Sequence, residues 1–124
     1  MALNKTLLAE LEQEAAITKK ILEKIPTEKL VWKPHEKSYA MGALAAHVTE
    51  IPGWLDLMLN ADELDFATMD YKPPVINENA DIMKVFENNL TKAKEVLNKA
   101  TDEKFEGNWR MRHGDQIFFD LPRT

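Results

Sequence analysis

The chain of 124 residues contains no cysteine, only four glycines and only three histidines. Without cysteine there is no disulfide, no thiolate metal ligand and no cysteine nucleophile. Glycines 42, 53, 107 and 114 are too scattered to form a phosphate-cradling loop. No serine lies near a histidine in a nucleophile motif. Lysines are interspersed with glutamates, and the formal net charge is -5. That balance argues against nucleic acid as a partner, because phosphate binding needs concentrated Lys and Arg. No apolar run approaches the roughly 20 residues that span a bilayer. The N-terminus lacks a basic start followed by an apolar block. No membrane partner is expected, and cytoplasmic residence is the expectation.

What remains is a composition of 44% hydrophobic and 30% charged residues, typical of a globular domain. The length fits a single domain over residues 1–124, with enough chain for a core. Residues 3–25 read as a helix, since Leu8, Leu11, Ala15, Thr18, Leu22 and Ile25 recur three or four apart. Glutamates early and lysines late suit the helix dipole, and Pro26 stops the helix. Residues 26–38 form a connector in which Pro34 holds Lys33 extended. His35 lies there among charged neighbours as a solvated residue.

Residues 39–60 predict a second helix, with Ser38 as N-cap and a core stripe of Leu44, Val48, Ile51, Leu55 and Met58. Pro52 predicts a kink near Val48 to Glu50. A polar connector over 61–79 precedes a third helix, 80–100, capped by Asn79. Its stripe is Ile82, Phe86, Leu90, Ala93 and Leu97. After residue 100 the pattern alternates. Asn108 to Arg112 and Gln116 to Phe119 predict a hairpin about the turn His113-Gly114-Asp115. A lone hairpin is marginal in water, so it must pack on something. Pro122 reads as the first residue of a further helix.

His47 is the residue that most invites a functional reading. It sits in an apolar helix, beside the expected core stripe, and a polar ring there must find a partner. Glu50, three residues on, shares its face, as does Trp54. His47 and Glu50 are therefore candidate ligands of a divalent metal such as zinc, nickel or iron. Two ligands from one helix fall short of the three that a catalytic zinc normally takes. The plainer alternative is a structural hydrogen bond from His47 to Glu50 or a carbonyl. Trp32, Trp54 and Trp109 are candidates for one pocket or, more simply, core fillers. The methionines at 41, 58, 69, 83 and 111 read as packing. His113 reads as a solvated turn residue.

The loop Trp32-Lys33-Pro34, Ser38, and the helix bearing Ala45-Ala46-His47-Val48 and ending near Trp54 resemble the first half of the DinB-like (DinB/YfiT-like) proteins. The run Ile117-Phe118-Phe119-Asp120-Leu121-Pro122-Arg123 resembles that family's approach to its last helix. The resemblance implies an all-α four-helix bundle, of which three long helices and a short hairpin are visible here. The fourth helix would be missing or supplied by a partner. It also implies a metal-dependent enzyme of the thiol-dependent S-transferase, hydrolase or isomerase type. His47 matches the family's first metal histidine, and no later His-x-x-x-His pair follows. No family role is implied for Glu50. Two outcomes are open: a C-terminally incomplete chain, inactive alone, or a short protein that closes its core as a homodimer. The corresponding functions are a metal-dependent enzyme with a small-molecule substrate and a non-catalytic dimeric binding module with a structural His47.

Overall fold

The computed structural model describes residues 2–124. Helix α1 (Leu3–Glu23) lies along α4 (Asn79–Lys99). The second rod is broken into α2 (Met41–Glu50) and α3 (Trp54–Asn60) by a 3-10 turn, Ile51–Gly53. Both arms also pack on α4, which makes α4 the central element. Its buried residues are Ile82, Phe86, Leu90, Ala93 and Leu97, the stripe expected from the sequence. Two apolar clusters stack along it. One joins Ala15, Leu22, Leu30 and Ala45 to Ile82, Phe86 and Leu90. The other joins Leu59, Leu97 and Phe105.

The ends of α1 and the start of α2 are satisfied by groups distant in sequence, whereas α4 carries its own cap. The Leu3 amide donates to Asp102 Oδ1 at 3.0 Å, which places a carboxylate at the α1 N-terminus where the dipole favours it. Ser38 does not cap α2. The amides of Met41 and Gly42 donate instead to the carbonyls of Trp32 (2.9 Å) and Leu30 (2.8 Å). That close approach needs Gly42, since a Cβ there would sit 3.1 Å from the Leu30 oxygen. Asn79 is not the cap of α4 either. Glu78 and Asp81 form a capping box. Asn79 Nδ2 donates to the carbonyls of Leu22 (2.9 Å) and Ile25 (2.8 Å) and so closes the end of α1.

The buried face of α2 is Gly42, Ala45, Ala46 and Thr49, not the expected stripe of large residues. Leu44 and Ile51 are about half exposed, at 52% and 49%. Small residues let α2 approach α4 closely, and the large ones turn outward. The break falls one turn later than expected. Pro52 has no N–H to give the Val48 carbonyl, and the neighbouring Thr49 carbonyl accepts from Asn89 Nδ2 at 2.8 Å.

The all-α bundle expected from the sequence is corrected by a three-stranded mixed sheet in the order β1-β2-β3. Helix of all kinds accounts for 56% of the chain and strand for 13%, so the fold is mixed α/β. β1 (Glu63–Asp65) runs parallel to β2 (Asn108–His113), pairing Glu63, Leu64 and Asp65 with Arg110, Met111 and Arg112. β3 (Gln116–Pro122) is antiparallel to β2 and carries a bulge opposite Met111 and Arg112. Residues 63–65 hide in a polar connector because a single apolar residue, Leu64, stands between two acids. Their strand state comes from pairing with β2, not from local pattern. Pro122 ends β3 rather than opening a helix. β3 is an edge strand, where a missing N–H is tolerated.

The hairpin itself agrees with expectation. Of the two turn residues only Gly114 has a positive φ, +59°, as a type II′ turn requires. Asp65 pins that turn, accepting the Gly114 amide at 2.9 Å and the Ala67 amide at 3.0 Å. The packing partner that a lone hairpin needs is supplied by β1 and by Trp109. Trp109 is buried and donates Nε1–H to the Leu57 carbonyl at 3.2 Å. Arg123 adds a clamp. Its guanidinium donates to the carbonyls of Met58, Glu106 and Ala61 and to Asp62 Oδ1. Among the described residues, no helix is long and apolar enough to cross a membrane.

Candidate functional site

The outward face of α2 carries His47 and Glu50 one turn apart, as the spacing predicts. The break at Ile51–Gly53 then brings Trp54 alongside, with its ring 5.6 Å from that of His47 in a T-shaped contact. Residues 66–78 leave β1 and cross this face without regular structure. Pro73 and Pro74 stiffen the crossing. Tyr71 is the point of attachment. Its hydroxyl lies 2.6 Å from each Glu50 oxygen and donates to the carboxylate.

This bridge divides a trough into two clefts. The first has a volume of about 640 Å³ and is walled by Leu30, Val31, Tyr39, Leu44 and Ile76. The second, about 440 Å³, is walled by Trp54, Leu57, Leu64, Phe66 and Met69. His47, Glu50, Tyr71 and Pro74 border both. Volumes of this size suit small organic molecules, which favour apolar walls with few convergent polar groups. Among the described residues no lysine or arginine lines either cleft.

Glu50 is the polar centre. Its side chain is 12% exposed, whereas that of His47 is 54% exposed. His47 Nδ1 stands 3.8 Å from Glu50 Oε2, close enough for attraction but beyond hydrogen-bond length. Among the described residues Tyr71 is the only hydrogen-bond donor to this carboxylate. A carboxylate can accept about four bonds, so most of its capacity is open to a ligand. Burial of the hydroxyl, reinforced by its bond to Glu50, pushes the Tyr71 phenol up to about 12. It is therefore a neutral donor at ordinary pH.

The other residues singled out in the sequence do not join this site. His35 lies in the loop before α2, where Nδ1 accepts the Lys37 amide at 3.1 Å. His113 ends β2 at the hairpin turn. Of the tryptophans, Trp54 lines the second cleft, Trp109 is core and Trp32 is half exposed. The three do not share one pocket. Sequence reading missed Tyr71, whose contact with Glu50 spans 21 residues of chain. The signal available was an aromatic residue directly before the rigid Lys72-Pro73-Pro74 segment of a polar connector.

A divalent metal would find an imidazole nitrogen and a carboxylate here. Among the described residues no group of three or more His, Cys, Asp or Glu side chains is arranged to hold a metal ion. Two donors, one already bonded to Tyr71, do not fit the three-ligand catalytic site implied by the DinB-like resemblance. No chemical step through a metal follows from this arrangement. Comparison with family models, curated proteins and solved structures returned no match. The DinB-like resemblance therefore rests on the sequence motifs quoted above.

Proposed function

We propose that the chain is a small-molecule binding module whose ligand occupies the paired clefts flanking the Glu50–Tyr71 bridge. The observation that carries this reading is a largely shielded carboxylate, served by one protein donor, at the junction of two apolar clefts. A shielded charge with spare acceptor capacity costs stability unless something completes its partners. Binding a ligand is the function that makes use of it. His47 stands at the rim as a positioning group held against Trp54.

The metal-dependent enzyme reading has one observation in its favour, that His47 and Glu50 border the same clefts. It needs at least one further donor to complete a ligand set. Calorimetric titration with zinc or nickel separates the two readings. The binding-module reading expects no tight stoichiometric uptake that depends on His47. A one-to-one uptake abolished by His47→Ala would reverse the preference.

The cleft itself is tested with the uncharged fluorescent probe N-phenyl-1-naphthylamine. Saturable one-to-one binding is expected in the wild type. It should be lost in Met69→Trp, which fills the second cleft, and kept in Ile117→Trp on the exposed edge strand. Binding that ignores both Met69→Trp and Leu44→Trp, which fills the first cleft, would place the probe outside the paired clefts and sink the proposal.

A further inference from the structure

Resting on that reading, the geometry points to a specific ligand class: a small organic cation, whose ammonium head lies in the second cleft against the Glu50 carboxylate. Three features of the cleft converge on a positive charge. Its one full charge is negative, and it is only 12% exposed. No lysine or arginine among the lining residues neutralises it. Its walls hold the rings of Trp54, Phe66 and Tyr71 together with the Met69 thioether. Aromatic rings attract cations through their quadrupoles, most strongly where water is excluded.

The remaining polar groups leave little else for a ligand to use. Asn89 Nδ2 donates to the Thr49 carbonyl, and its Oδ1 offers a ligand an acceptor only. The Tyr71 hydroxyl is committed to Glu50. His47 meets Glu50 at 3.8 Å from the rim. An anionic ligand would face the carboxylate with no cation to receive it. A neutral apolar ligand would fill the walls but leave the carboxylate poorly partnered. A cation bearing an apolar body satisfies both. The net charge of -5 also steers cations toward the surface.

The test compares benzyltrimethylammonium with its uncharged isostere neopentylbenzene and with benzenesulfonate. Each is measured by calorimetry and by displacement of N-phenyl-1-naphthylamine from the full chain. The ammonium should bind about tenfold or more tightly than the isostere, as one added charge contact predicts. Benzenesulfonate should bind weakest. Glu50→Gln keeps the shape and the aromatic walls but removes the charge, so it should cut the advantage of the ammonium over the isostere about threefold or more. Tyr71→Phe keeps the ring, removes the competing donor, and should retain the preference for the cation. It serves as a second variant should Glu50→Gln fail to fold. If the naphthylamine probe binds but the ammonium shows no advantage, the cation inference falls and the cleft reading stands. A preference that Glu50→Gln leaves undiminished, or one abolished in Tyr71→Phe, also overturns it. If the wild type binds neither probe nor ammonium, both readings fall together.

Discussion

Replacing Asn79 by aspartate should destabilise the protein more than replacing it by alanine. Asn79 is the first residue of α4, yet its side chain serves α1, donating two N–H groups to the carbonyls of Leu22 and Ile25. Each such bond is worth about 0.5–1.5 kcal/mol. Alanine loses both, so the expected cost is about 1–3 kcal/mol, slightly reduced by alanine's better helix propensity. Aspartate loses both donors and sets an oxygen against carbonyl oxygens only 2.8–2.9 Å away. A carboxylate here is favoured by the dipole of α4 and disfavoured by that of α1, and the two effects offset. A further loss of about 0.5–1 kcal/mol beyond alanine is the result, from oxygen–oxygen repulsion over unsatisfied carbonyls. Urea denaturation is the assay, read from midpoints at constant slope. If Asn79→Asp equals the wild type or exceeds Asn79→Ala, the residue acts as an ordinary N-terminal group of α4. The claim that it closes α1 would then be refuted.

Two further expectations concern pH. The Tyr71 phenol is raised to about 12, so its contribution is complete below its ordinary value of 10.0 and is lost as pH rises through the raised one. The ultraviolet titration difference between wild type and Tyr71→Phe should therefore have its midpoint near 12, and a midpoint near 10 would break the Glu50–Tyr71 bridge as an argument. The Asp65 carboxyl is held below its usual 3.8 by the amides of Gly114 and Ala67, helped by Arg112. Its contribution is present above 3.8 and is lost as pH falls through the depressed folded value. The amide resonances of Gly114 and Ala67 should shift together in acid with a midpoint below 3.8, and independent shifts would deny that Asp65 ties the turn to β1.

What was legible in the sequence divides along the range of the interactions. The stripes of α1 and α4 could be read because each of these helices buries one face of ordinary apolar residues. The hairpin could be read because Gly114 marks a turn with a local requirement. α2 misled because its buried face is built of Gly42, Ala45, Ala46 and Thr49, while the large Leu44 lines a cleft instead. Periodicity reports bulk, and here bulk faces outward. β1 could not be read because Leu64 alone carries its burial, and its partner strand lies beyond α4. That unseen strand is what turns an expected helical bundle into a mixed fold. At the site, His47 and Glu50 were placed on one face by spacing alone. Tyr71 was invisible because nothing local ties residue 71 to residue 50.

The parallel pairing of β1 with β2 has a consequence for how the protein reaches this state. Two parallel strands cannot be joined by a tight turn, so the pairing of β1 with β2 closes a loop that holds the crossing segment and all of α4. Closing so long a segment is entropically slow, and it is rewarded only at the end. The helices can assemble around α4 through nearer contacts while the sheet is still open. Leu64 and Phe66, which wall the second cleft, take their positions only when that last closure occurs. A partly folded chain would thus be rich in helix and lack the second cleft. Stopped-flow folding should show helical circular dichroism recovering in an earlier phase than the ability to bind.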